Sequence, residues 1–111
     1  MRRWSLVLGG TLLVAGCSAP PPARVNIPPD ALVVTIQGST FSPASVTVPV
    51  GKSVVWVQAD DQSHTVTGDS GDWDSGSLMS GATFRRVFER PGRFTYHCAI
   101  HPSMQGSVIA Q

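Results

Sequence analysis

Cys98, His101 and Met104 recur at intervals of three in the stretch Tyr96-His97-Cys98-Ala99-Ile100-His101-Pro102-Ser103-Met104. A second imidazole, His64, stands far upstream. Together these residues offer two imidazole nitrogens, one thiolate and one thioether. Such a set suits a type 1 copper ion, held in a trigonal His₂Cys plane with a weak, long bond to an axial Met. The reason lies in copper's two oxidation states. Cu(I) takes soft sulfur and low coordination, whereas Cu(II) takes nitrogen and tetragonal geometry. A mixed set with one long bond serves both, so the ligands move little when one electron arrives or leaves. Carboxylates are harder ligands, and none lies between Cys98 and Met104. Zinc accepts the same nitrogens and sulfur but has no use for a weak thioether.

These residues need a frame. Cys98 closes an alternating run over 93–98, with Phe94, Tyr96 and Cys98 on one face. The same alternation points His97 away from Cys98, so His97 is not a ligand. Pro102 stiffens the loop that carries His101 and Met104. One loop cannot surround an ion, so His64 must arrive from a neighbouring strand end. Further β-rich runs lie at 32–37, 46–50, 54–57, 64–67, 83–88 and 106–110. Gly51-Lys52 and Pro91-Gly92 read as turns. No segment sustains a helical period, although 78–82 could make one helical turn. Seven or eight short strands without helices predict an all-β sandwich. Trp56 and Trp73 read as packing residues. Leu78 and Met79 fit either the core or the border of the metal end. Asp60, Asp61, Asp69, Asp72 and Asp74 read as a solvated acidic loop or a patch for a basic partner.

The first residues belong to export. Arg2 and Arg3 precede a short apolar stretch that ends Leu13-Val14-Ala15-Gly16-Cys17. This is a secretory signal, and its end is similar to a bacterial lipobox, where cleavage leaves Cys17 to carry acyl chains. Residues 1–16 are therefore read as signal peptide. Residues 17–30 are read as a lipidated Cys with a Pro-rich tether, long enough to reach roughly 35–40 Å at ~3.1 Å per residue. Residues 31–111 are the folded domain. With Cys17 lipidated, Cys98 has no thiol partner in an oxidising compartment, and a metal would occupy it. Loss of Arg2 and Arg3 leaves six basic against seven acidic side chains. Steering by net charge is then weak, and no basic patch points to nucleic acid.

The ligand loop now has company: Phe41-Ser42-Pro43, Val48-Pro49-Val50-Gly51, Trp56, His64-Thr65-Val66, Trp73-Asp74-Ser75-Gly76 and Pro91-Gly92-Arg93-Phe94-Thr95-Tyr96-His97-Cys98. Over residues 31–111 the chain resembles the cupredoxins of plastocyanin and azurin type. Its Cys-x-x-His-x-x-Met spacing is similar to that of amicyanin-like members and of bacterial lipoprotein cupredoxins. The resemblance implies a Greek-key sandwich and one copper bound by His64, Cys98, His101 and Met104. It departs from many members at Thr65, where they carry an Asn that ties the ligand loops together. A Thr65 hydroxyl or N–H is expected to take over that bond.

The function implied is single-electron transport between exported or membrane-bound redox partners. Contacts would be transient, and the protein monomeric and anchored by lipid, facing the periplasm or cell exterior. Copper storage or delivery is the alternative, disfavoured by only three Met in the chain. An oxidase or reductase needs further copper centres, and His64, His97 and His101 are the only histidines. No enzyme is therefore expected.

Overall fold

The computed structural model describes residues 9–10 and 27–111. The readings of a signal segment, of Cys17 lipidation and of most of the tether lie outside these residues. Among the described residues there are eight strands and no helix. They are β1 (Leu32–Ile36), β2 (Phe41–Ser42), β3 (Ser45–Val48), β4 (Ser53–Gln58), β5 (Thr67–Gly68), β6 (Thr83–Val87), β7 (Gly92–His97) and β8 (Gln105–Ala110).

Two four-stranded sheets face each other, in the orders β2-β1-β4-β6 and β3-β8-β7-β5. β1 runs parallel to β4, and β3 parallel to β8. Parallel neighbours cannot be joined by a hairpin, so the chain must cross between sheets. That connectivity gives the expected Greek-key sandwich. β4, of sequence Ser-Val-Val-Trp-Val-Gln, lies between two neighbours and is buried along nearly all its length. Its β-branched residues suit a strand covered on both sides.

Local differences from the sequence reading have local causes. β3 stops at Val48 because Pro49 has no N–H to donate. The chain then turns at Gly51 (φ +88°), with the Lys52 N–H donating to the Pro49 carbonyl at 3.0 Å. The run at 64–67 is a strand only from Thr67, and His64 instead forms an isolated bridge with Leu78. Residues 78–82 make no helical turn. Gly81 adopts φ +86° and donates its N–H to the Gln58 carbonyl at 2.7 Å, which ends any helical continuation.

The inward faces meet in an aromatic core. The Trp56 ring lies 5.3 Å from Tyr96 in an edge-on contact, 5.7 Å from Phe84 and 5.9 Å from Trp73. Such pairs add about 0.5–1.5 kcal/mol each beyond the area they bury. The Arg86 guanidinium covers the outer side of Trp73 at 4.8 Å. Burial pushes the Tyr96 phenol up to about 12, with the Trp56 indole N–H acting weakly in the other direction. Tyr96 precedes Cys98 by two residues on the same inward face, so this core fixes the strand end that presents the thiol.

Close packing here leaves no room at Gly68, where an added Cβ would meet Trp73 Nε1 at 2.3 Å. Gly68→Ala is expected to cost about 1–3 kcal/mol through overpacking. A urea titration should show a lower midpoint with an unchanged slope. An unchanged midpoint would mean that the indole is not held there.

Candidate metal centre

The centre sits where β4 and β7 end, at one pole of the sandwich. The β4 end is shaped by Gln58, a fully buried amide. Its Nε2 donates to the carbonyls of Gln62 at 2.5 Å and Leu78 at 3.1 Å. Its Oε1 accepts the Asp60 N–H at 2.8 Å. This folds residues 59–63 into a fixed turn, and the chain emerges at His64. The His64 N–H and carbonyl then pair with Leu78 at 3.2 and 2.7 Å. His64 is thus held by its backbone before any side-chain contact is counted.

The other candidate ligands come from the loop after β7. The Cys98 N–H donates to the Met104 carbonyl at 3.0 Å, and the Met104 N–H donates to the His101 carbonyl at 2.9 Å. The loop therefore closes on itself. Cys98 is fully buried, and Met104, only 5% exposed, belongs to the same core cluster. His101 is half-buried.

Two loops so far apart in sequence must be fastened, and Thr65 does this twice. Its N–H donates to Cys98 Sγ at 3.4 Å, and its Oγ1 accepts the Ala99 N–H at 2.8 Å. The two routes anticipated for Thr65 are both present. A further bond between the hydroxyls of Thr65 and Thr67, 2.8 Å apart, steadies the side chain.

Three donor atoms converge. Cys98 Sγ lies 3.8 Å from His64 Nδ1 and 3.9 Å from His101 Nδ1, and the two nitrogens are 3.2 Å apart. A point equidistant from all three lies about 2.1 Å from each, against typical bonds of about 2.0–2.1 Å to nitrogen and 2.3 Å to sulfur. The donor set and its spacing fit a single first-row metal ion of the kind expected, and the cluster is positioned to bind one copper.

The remaining sequence readings sort cleanly. The His97 ring turns away from the centre and pairs with Asp69 at 2.5 Å. Leu78 is core, whereas Met79 is 65% exposed. Trp56 and Trp73 are core residues. Asp61, Asp69, Asp72 and Asp74 are exposed, as a solvated loop requires. Three of the five aspartates also hold specific partners: Asp60 bonds the His64 ring, Asp69 bonds His97, and Asp74 accepts from Thr67 and from the Gly76 N–H. Sequence reasoning missed Gln58 and the specific task of Asp60. The spacing of four between Asp60 and His64 was the only available signal.

Comparison with known proteins agrees with this geometry. A family model described as a cupredoxin-like domain matches residues 7–110. The chain is 31% identical over 99 residues to amicyanin from Paracoccus versutus, spanning 85% of this chain and 75% of the relative. It is 30% identical over 83 residues to amicyanin-alpha from Methylorubrum extorquens, spanning 70% of each. Among solved structures, a purple cupredoxin from Nitrosopumilus maritimus matches with TM-score 0.66 at 26% identity, over 72% of this chain and 99% of that one. A Cu(I) form of an amicyanin mutant matches with TM-score 0.70 at 26% identity, over 77% and 86%.

The same contacts set the state of the Cys98 sulfur. Burial raises its pKa, but the N–H groups of Thr65 and His101 and the rings of His64 and His101 favour the anion more strongly. The net result is a thiol lowered to about 6. The metal-free protein is therefore expected to show ultraviolet thiolate absorbance with a midpoint close to pH 6. Because the folded value is depressed, this contribution to stability is full above the unfolded thiol range and fades as pH falls through about 6. A midpoint between 8 and 9, about the ordinary cysteine value, would contradict the geometry.

Proposed function

Because the chain belongs to the cupredoxin-like family, we propose that it carries single electrons on one type 1 copper between exported or membrane-bound redox partners. The observation that carries this reading is the metal-sized gap bounded by His64 Nδ1, Cys98 Sγ and His101 Nδ1. Copper held there supplies a reversible one-electron couple. Every other part of the task falls to the protein.

His64 and Cys98, both without exposed surface, keep water from the inner side of the centre. Thr65 steadies the sulfur, so that the donors need not rearrange between oxidation states. Met104 would supply the fourth donor, a thioether, to a copper held there. His101 alone among the three clustered donors reaches the surface, and we assign its ring edge as the point of electron entry and exit. Exposed Ile100 and Pro102 flank it. A small apolar rim of this kind suits brief docking. An electron carrier needs no catalytic residue, and we assign none. Export and membrane attachment through a lipid on Cys17, with residues 17–30 as a Pro-rich tether, complete the proposal. Its basis is the apolar leader and the small residues before Cys17.

The full chain loaded with Cu(II) should be strongly coloured by thiolate-to-copper charge transfer and show the narrow hyperfine EPR pattern of a type 1 site. A colourless copper complex would defeat the assignment. Quantitative transfer of copper to an acceptor protein, without electron exchange, would favour storage or delivery instead. Met104→Leu separates ligation from packing. The swap should cost less than about 1.5 kcal/mol in the metal-free protein. It should nonetheless change the reduction potential of the loaded one, because the axial ligand tunes it. An unchanged potential would remove Met104 from the ligand set.

A further inference from the structure

The His64 ring has two nitrogens, and Nδ1 is the one that faces Cys98 and His101. Nε2 points the other way and lies 2.8 Å from Asp60 Oδ2. His64 is fully buried, while the Asp60 side chain is 20% exposed. The carboxylate thus stands at the boundary between the centre and solvent.

Asp60 is gripped from several directions. Its Oδ2 accepts the Ser39 N–H at 2.8 Å, and its Oδ1 accepts the Gly38 N–H at 3.1 Å. Its own N–H donates to Gln58 Oε1. Ser39 adopts φ 52°, a left-handed conformation that costs a non-glycine residue of order 1 kcal/mol. That conformation presents the Ser39 N–H to the carboxylate. These contacts, together with the His64 ring, hold the Asp60 carboxyl below its ordinary pKa, with the Ser39 N–H the largest influence.

We propose that Asp60 is a positioning residue for His64, and that its negative charge biases the bound copper toward Cu(II). The inference rests on the reading of His64 as a copper ligand. Its first part is tautomeric: accepting the Nε2 proton leaves the Nδ1 lone pair free and aimed at the metal. Its second part is electrostatic. A carboxylate makes the ring a stronger donor, and the doubly charged ion gains more from that than the singly charged one. A neutral amide oxygen in the same place would still accept the Nε2 proton but would add no charge. Asp60→Asn therefore isolates the charge from the hydrogen bond.

The experiment is redox titration of the copper-loaded full chain, wild type against Asp60→Asn. The variant should keep the charge-transfer band. Its ratio of Cu(II) to Cu(I) affinity should fall about tenfold, which is a rise of about 59 mV for a one-electron couple. A role in folding alone would lower the unfolding midpoint and leave that ratio unmoved. A ratio changed less than twofold, with both proteins blue, overturns the inference and leaves the copper reading intact. A wild-type protein that is not blue overturns both. Should the Asn variant fail to fold, Asp60→Ser, neutral and smaller, is read by the same criteria. In the metal-free wild type, nitrogen-15 NMR should find the His64 proton on Nε2 and slow to exchange. A proton on Nδ1, or one exchanging freely, overturns the positioning role.

Discussion

Two loops separated by more than thirty residues must meet with sub-ångström consistency, and Thr65 is where they are joined. Its N–H reaches the Cys98 sulfur and its hydroxyl takes the Ala99 N–H. Without that latch the imidazole of His64 and the thiolate of Cys98 would belong to independently moving segments. With it, the three donor atoms lie 3.2 to 3.9 Å from one another. Preorganisation of this kind matters for electron transfer because the ligands do not have to be rearranged at each step.

The latch works only because both segments are anchored further down. On one side, Gln58 spends a buried amide on shaping the turn before His64. A buried polar group is tolerated when its bonds are satisfied, and both its donor and acceptor ends are engaged here. On the other side, Tyr96 is packed edge-on against Trp56 and Phe41, which fixes the end of β7 and so the height of Cys98. Both sheets contribute: β4 places the first imidazole, β7 the sulfur, and the return to β8 closes the loop that bears His101. The polar pole with its donor cluster is thus an outgrowth of the apolar core.

Much of this was legible in the residues themselves. The ligand loop could be read because three donors fall within seven residues and strand alternation separates Cys98 from His97. The strands could be read because β-branched residues alternate and Pro49 and the Pro91-Gly92 pair mark their limits. β2 could not, since two residues carry no period. The bridge between His64 and Leu78 also escaped, because pairing of a single residue leaves no pattern in sequence. Gln58 and Asp60 were hidden for a different reason: polar residues near a strand end look like solvated surface until the fold brings Leu78, Ser39 and His64 against them.

Electron carriage at this centre depends on a donor set that stays in place as the oxidation state changes. X-ray absorption at the copper edge, on the Cu(II) and Cu(I) forms of the full chain, tests this most directly. Two nitrogen and one sulfur scatterers are expected in both states, near 2.0 and 2.3 Å to within about 0.2 Å. Loss of a nitrogen on reduction at neutral pH, or a first shell without short sulfur, would contradict it.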